Sequence, residues 1–387
     1  MAASLNTQGI KLALAAGEAS GDFLGQLFLQ AAQQDWPDLR SYGIGGAKMA
    51  ATGFEAWWPY EDLAVFGYVD ALRNYRRIMA LRKTFAEKLL QPAHRPDVFI
   101  GIDAPDFNLG LETQLKAQGI TTVHFVSPSI WAWRPERIAK IRAAADHVLC
   151  LFPFEPALYE QAGIPATFVG HPFAAHIPLQ PDRSAARAAL NLPADAPIVA
   201  LLPGSRKSEI THLTDDFFAA AKLMRLAMPA LHFVCPCVPA QLPLVSALAA
   251  KAGLGEALTL IAGRSHEALA ACDTALVASG TATLEAALFK RPHVIAYRMN
   301  WLNWQIIRRK RLQPWVGLPN ILCQDFVVPE LLQDALTPRA LADAALEQLQ
   351  SPALQADIAQ RFSQLHESLL QPSAERIQGV LRQLLAP

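Results

Sequence analysis

Two short loops carry residues that could hold a phosphate. Pro203-Gly204-Ser205-Arg206 directly follows the apolar run Ile198 to Leu202, and helix-period sequence comes after it. A Gly-Ser turn exposes backbone N–H groups at a helix start, where the dipole favours an anion, and an arginine there can fork onto phosphate oxygens. Ala278-Ser279-Gly280-Thr281 is the same device one strand further on. Gly280 permits close approach of the backbone, and Thr281 can cap the helix that begins there. Glu285 lies one turn later on the face of Thr281, where a carboxylate could accept from both ribose hydroxyls. Each loop alone could be a plain strand-to-helix turn with a solvated Arg206 or Glu285. Taken together they favour a nucleotide diphosphate.

Other chemistries are excluded. Gly43-Ile-Gly45-Gly46 stops short of a dinucleotide fingerprint because Lys48 stands where the third glycine is needed, and no Gly-Lys-Ser/Thr supplies a Walker loop. The five cysteines (Cys150, Cys235, Cys237, Cys272, Cys323) lack zinc-site spacing and read as buried thiols in a reducing compartment. With 34 basic and 34 acidic residues the net charge is zero, against a dedicated nucleic-acid binder. Hydrophobic residues are 52% and charged ones 18%, enough to bury two full cores within 387 residues. No signal peptide or run of ~20 apolar residues is read, so the chain is expected to be cytoplasmic, soluble or peripheral. A mean hydropathy of +0.18 hints at a greasy partner.

The elements that must position these loops alternate as strand and helix. Lys11 to Ala16, Asp97 to Ile102, Thr121 to Val126, His147 to Phe152 and Ala166 to Val169 read as strands of a first half. His171 to Pro197 then carries five prolines and suits a linker. Strands resume at Ile198 to Leu202, Leu231 to Cys235, Leu258 to Ile261, Thr274 to Ala278 and His293 to Tyr297, with helices from Thr337 onward. The expected fold class is α/β, two doubly wound Rossmann-like domains facing across a cleft, with ligands beyond the carboxyl ends of the strands. The domains are expected at 1–175 and 176–354, with helices from about 355 to 387 packing back on the first.

Six stretches, in order, resemble the lipid-A-disaccharide synthase family. They are Gly17-Glu-Ala-Ser-Gly-Asp22, Gly101-Ile-Asp-Ala-Pro-Asp-Phe-Asn108, Val126-Ser-Pro-Ser-Ile-Trp-Ala-Trp-Arg134, Leu202-Pro-Gly-Ser-Arg206, Ala278-Ser-Gly-Thr-Ala-Thr-Leu-Glu285 and Leu318-Pro-Asn320. The Ser-Gly-Thr turn is shared with many transferases; the second and third stretches are far more specific. Lys48, Phe66 and the tail after residue 350 depart from the pattern. The resemblance implies a GT-B fold and transfer of a diacylglucosamine unit from UDP-2,3-diacylglucosamine to 2,3-diacylglucosamine 1-phosphate. The product is a β-1,6-linked disaccharide of lipid A and lipopolysaccharide biosynthesis, formed with inversion by a single general base. Asp103 is the implied base, with Asp106 as the alternative that could instead cap the following helix. Gly204, Ser205, Arg206, Ser279, Gly280, Thr281 and Glu285 would hold UDP, and Asn320 would add a donor contact. Glu18, Ser20, Asp22, Asp106 and Asn108 fall on the acceptor or sugar side. No cofactor and no metal is expected, since an Asp-x-Asp motif is missing and helix N-termini with Arg206 can stabilise leaving UDP.

Lipid substrates imply a surface at the inner membrane. Val65, Phe66, Val69 and Leu72 fall on an apolar helical stripe flanked by Arg73, Arg76 and Arg77, and Trp301 and Trp304 precede Arg308-Arg-Lys-Arg311. An apolar face bordered by cations suits anionic lipid. An ordinary packed helix is the alternative for the first stretch, and a nucleic-acid patch the less favoured one for the second. His171 reads as shaping the linker, and Trp131 and Trp133 as pocket wall or core. A homodimer is compatible with this reading. The competing functions are a UDP-N-acetylglucosamine 2-epimerase and a non-catalytic lipid- or nucleotide-binding protein.

Overall fold

The computed structural model describes residues 9–63, 68–132, 135–299, 304–305 and 312–386, with backbone alone for 68–74 and Ser208. The chain divides into two units, Met1–Pro172 with Gln371–Pro387, and Phe173–Leu370.

The first unit holds a seven-stranded parallel sheet. Its strands are β1 (Lys11–Ala16), β2 (Arg40–Gly45), β3 (Glu55–Pro59), β4 (Val98–Ile102), β5 (Thr121–Phe125), β6 (His147–Cys150) and β7 (Ala166–Phe168), in the order β3-β2-β1-β4-β5-β6-β7. Alternation of side chains feeds both faces: Leu12, Leu14 and Ala16 join one core, Ala13 and Ala15 the other. A sheet covered on both faces reads as continuous apolar runs, which is why β1 and β4 stood out in the sequence. Each fully buried Leu or Phe in these cores stabilises the fold by about 1.5–3 kcal/mol.

The second unit has six parallel strands, β8 (Ile198–Leu202), β9 (His232–Cys237), β10 (Leu258–Ala262), β11 (Thr274–Ala278), β12 (His293–Tyr297) and β13 (Glu330–Leu332), in the order β10-β9-β8-β11-β12-β13. Phe217, Phe218 and Phe233 anchor its core. Sheet order reverses between β1 and β4 in the first unit and between β8 and β11 in the second. At such switch points the crossover helices leave on opposite faces and the loops beyond the strand ends splay apart to admit a ligand.

The helices from about 355 to 387 are expected to pack back on the first domain. The Pro352–Leu369 helix instead belongs to the second unit, and the return begins at Gln371. The Ser373–Leu385 helix buries Ile377, Val380 and Leu381 in the first unit's core, and Gln378 Nε2 donates to Ala31 O at 2.9 Å. Three strands were not expected. β2 contains Gly43 and Gly45, whose spacing in sequence suggests only an incomplete fingerprint. β3 is a half-exposed edge, and β13 is three residues long.

Candidate active site

In the first unit the loops after β1 and β4 meet. A Cβ on Gly17 would fall 2.5 Å from the Cβ of Ala104, so only glycine lets the loops close to this distance. Asp103 and Ala104 have φ of 51° and 43°, two successive left-handed residues that are not glycine. Each costs about 1–2 kcal/mol of backbone strain, and such strain persists only where surrounding bonds impose it. The bonds are present. Asp103 N–H donates to Phe125 O at 2.8 Å, and Asn108 Nδ2 donates to Asp103 O at 2.8 Å and to Ala15 O at 3.2 Å. The Asp103 carboxyl is half-buried. Burial raises its pKa, Glu18 raises it further, and His124 with the Ala104 N–H works in the opposite direction.

Around Asp103 the expected acceptor residues separate into two groups. Glu18 and Ser20 are exposed, and Ser20 Oγ donates to Glu18 Oε1. Asp106 is also exposed and pairs with Arg137 Nη2 at 2.9 Å; it makes no cap bond to the Pro105–Lys116 helix. Asp22 and Asn108 are buried and bonded to the backbone. Asp22 is 3% exposed and its carboxylate accepts from the N–H groups of Gly46, Lys48 and Met49 at 2.7–3.1 Å, closing the start of the Ala47–Ala50 helix. Asn108 is fully buried as the clamp of the Asp103 loop.

Beyond β5 the chain again turns left-handed, at Val126 (φ 82°) and Ser129 (φ 40°). These turns bring Trp131 Nε1 to 2.9 Å from Glu155 Oε1, and Ser127 Oγ to 2.8 Å from Tyr159 OH. Glu155 was missed in the sequence because a lone glutamate after Phe-Pro-Phe has no spacing signature. His171 is buried and stacks on Phe152, with its pKa lowered to about 4 by burial. Trp133 lies outside the described residues.

The second unit brings its two expected loops to neighbouring strand ends, since β8 pairs with β11. Gly204 has φ 118°, and a Cβ there would meet Glu209 Oε2 at 2.5 Å. That oxygen accepts from Ser205 N–H at 3.1 Å and Arg206 N–H at 3.2 Å, while Arg206 Nη1 donates to Glu209 Oε1 at 3.3 Å. The donors read as phosphate ligands thus hold an internal carboxylate, which the sequence reading did not foresee. At the second loop Gly280, not Thr281, stands at the N-cap position, with no side-chain cap. Thr283 Oγ1 donates back to Gly280 O at 2.7 Å, and Gly280 and Thr281 are exposed. Ser279 is half-buried, its N–H bonded to Ala296 O. Glu285 is largely covered and lies 3.2 Å from His266 Nε2, a partner no motif announced. Asn320 is fully buried: its Nδ2 donates to Val328 O and Glu330 Oε1, and its Oδ1 accepts from Val328 N–H. These bonds tie the Leu318–Cys323 helix to the chain at Val328 and Glu330.

A family model described as lipid-A-disaccharide synthetase matches residues 12–384. Over 384 residues the chain is 56% identical to the lipid-A-disaccharide synthase of Albidiferax ferrireducens, with 98% of each chain covered. It is 57% identical over 385 residues to that of Verminephrobacter eiseniae, covering 97% of this chain and 98% of the relative. The chain belongs to the lipid-A-disaccharide synthase family. With the family comes the enzyme class, a glycosyltransferase of lipid A disaccharide synthesis. Two solved structures share the GT-B fold alone. The calicheamicin glycosyltransferase CalG4 matches with a TM-score of 0.64 at 14% identity, covering 98% of this chain and 100% of that one. A UDP-GlcNAc 2-epimerase from Neisseria meningitidis bound to UDP-GlcNAc matches with a TM-score of 0.63 at 10% identity and the same coverage. The epimerase reading therefore rests on fold, and sequence identity favours the synthase.

For a lipid A glycosyltransferase the lipid-facing surface matters, and much of the expected one lies outside the described residues. This is so for Val65, Phe66 and Trp301, and for the side chains of Val69, Leu72 and Arg73. Arg76 and Arg77 are exposed on the Tyr68–Leu89 helix, Arg77 pairing with Asp62 at 3.2 Å, and Trp304 is half-buried. Among the described residues no helix is long and apolar enough to cross a membrane. Nor, among them, do three or more His, Cys, Asp or Glu side chains gather as a metal site.

Proposed function

We propose that the chain joins the anomeric carbon of UDP-2,3-diacylglucosamine to the 6-hydroxyl of 2,3-diacylglucosamine 1-phosphate, with inversion, and that Asp103 is the base. The acceptor hydroxyl gives its proton to Asp103 as its oxygen attacks; the bond from the sugar to UDP breaks, and the leaving electron pair stays on the diphosphate. The observation that carries this reading is the strained, clamped Asp103 at the switch point beside β1, its proton affinity raised by burial and by Glu18. Asp106, exposed and paired to Arg137, has the weaker claim. Arg206 and the N-terminal ends of the Lys207–Ala227 and Thr281–Leu288 helices would stabilise the departing UDP without a metal, and Glu285 would hold the ribose. Because both substrates carry acyl chains, the reaction would run at a membrane surface, the cytoplasmic face of the inner membrane in this reading, with Arg76 and Arg77 toward anionic headgroups.

The test is acceptor-dependent UDP release in detergent. Wild type should release UDP only when 2,3-diacylglucosamine 1-phosphate is present. Asp103→Ala should reduce that rate by roughly 10²–10⁴-fold, and Asp106→Ala by less than about tenfold. UDP release without acceptor, or full turnover by Asp103→Ala, would overturn the proposal.

A further inference from the structure

Behind the Asp103 loop lies a buried acid–base pair with no assigned part in the transfer. His124 is on β5 and Glu112 on the Pro105–Lys116 helix; His124 Nδ1 and Glu112 Oε1 are 2.7 Å apart, and neither side chain has exposed surface. Strand register sets His124 opposite Gly101, two residues before Asp103. A side chain on Gly101 would run into Glu112 Oε1 and the Asn108 Cβ, so glycine there leaves the space that the carboxylate fills.

The pair is poor as a stabilising device. Glu112 Oε2 and His124 Nε2 are buried without a hydrogen-bond partner, as is Oδ1 of Asn108, one turn before Glu112. Leaving a buried polar atom unpaired costs about 1–3 kcal/mol, and an isosteric apolar pair would avoid that cost. The cluster is connected to the base in two ways. Asn108, packed against the same Gly101, holds the Asp103 carbonyl, and the His124 ring acts on the Asp103 carboxyl through its charge. The titratable groups here are Glu112 from the helix, bonded to His124, and Asp103 from the loop after β4, which in turn faces Glu18 from the loop after β1. Burial raises the proton affinity of Glu112 and the His124 ring works against that rise, so at 2.7 Å the two groups contend for one proton.

We propose that Glu112 and His124 are positioning residues for the base: they share one proton as a carboxylate–imidazolium pair, and the imidazolium keeps Asp103 in its proton-accepting form. Asp103 otherwise faces burial and the Glu18 carboxylate, both of which favour its protonated, inactive state. The inference rests on the reading of Asp103 as base.

The experiment is the pH profile of kcat/KM for acceptor-dependent UDP release by wild type, His124→Gln and Glu112→Gln. Loss of the imidazolium should move the acidic limb upward by about one pH unit or more in both variants, with KM for either substrate changed less than about threefold. Activity should recover toward wild type on the alkaline side. A uniform loss at every pH, or an unmoved limb, overturns the proposal. Should a variant fail to fold, the side-chain ¹⁵N resonances of His124 in the wild-type protein decide instead. They should report a cationic ring from about pH 6 to about pH 8, and a neutral ring there overturns it. Asp103→Ala separates the two readings: an inactive Asp103→Ala with an unmoved limb removes only the role of the pair, whereas an active Asp103→Ala removes the base itself.

Discussion

The indole N–H of Trp131 donates to Glu155 Oε1 at 2.9 Å, tying the loop after β5 to the start of the Glu155–Glu160 helix. Glu155 is 2% exposed, and burial pushes its pKa up to about 7, although Trp131, the Phe152 N–H and Ser127 all oppose that rise. A carboxyl whose folded pKa lies above its unfolded one contributes stability below the unfolded value and loses it as pH rises through the folded one. Between about pH 5 and about pH 8 this group should therefore cost the protein roughly 2–3 kcal/mol. Glu155→Gln should remove that share of the pH dependence. Thermal unfolding of both proteins at the two pH values measures it; equal slopes would mean that Glu155 stays ionised throughout.

The Gly17 and Ala104 contact gives a second prediction. Gly17→Ala introduces a methyl 2.5 Å from another and must push the Asp103 loop away from β1. The expected result is a fall in kcat of at least about tenfold if Asp103 is the base proposed above, since displacement of a base by about 1 Å carries such a cost. Ala104→Gly should have the opposite character: it relieves the left-handed strain at φ 43° and should stabilise the fold by about 1 kcal/mol. The Gly17→Ala/Ala104→Gly double variant should recover part of the lost kcat. No recovery would place the damage elsewhere than at this contact.

How far the site could be read from sequence follows from what kind of contact each residue makes. The switch-point loops announced themselves because strand ends, glycines and helix starts are local features, and Gly204 and Gly280 were found by that route. Asp103 came from its motif, but its left-handed backbone did not, because Asp-Ala-Pro looks like an ordinary helix start until Asn108 and Phe125 are seen to hold it. Asp22 and Asn320 show where motif reading stops. A polar residue in a motif can serve a ligand or the backbone, and only the fold shows Asp22 capping a helix and Asn320 bridging to Val328. Glu155, Glu209 and His266 act through partners that are distant in sequence or hidden within a helix turn, and composition carries no trace of them.

The internal carboxylate at the first donor loop yields a third prediction. Glu209 occupies the N–H groups of Ser205 and Arg206 and pairs with the Arg206 guanidinium. A diphosphate seeking the same donors must displace that carboxylate or lie beside a negative charge. Glu209→Gln removes the charge while keeping an oxygen acceptor for the cap. UDP should then bind tighter by roughly three- to tenfold, because an exposed charge pair at this distance is worth about 1 kcal/mol. Arg206→Ala should weaken UDP binding by a similar factor. Titration calorimetry with UDP reads both, and weaker binding by Glu209→Gln would show that the carboxylate organises the loop for the nucleotide.

The last prediction separates a support from a substrate contact at Asp22. Its carboxylate accepts three backbone N–H bonds from Gly46, Lys48 and Met49, and Gly46 has so little space that a Cβ would come 2.8 Å from Asp22 Oδ2. Charge-assisted bonds to backbone N–H groups at a helix start are each worth about 1 kcal/mol or more when one partner is removed. Asp22→Ala should therefore lower unfolding stability by roughly 2–4 kcal/mol. Asp22→Asn should recover less than half of that, since its amide NH₂ would oppose at least one of the three donors. Below its melting range Asp22→Ala should keep the wild-type KM for 2,3-diacylglucosamine 1-phosphate, because the carboxylate is turned away from solvent. Glu18→Gln, exposed beside Asp103, should raise that KM or shift the acidic limb of the pH profile without loss of stability. A raised acceptor KM in a fully folded Asp22→Ala would return Asp22 to the substrate side.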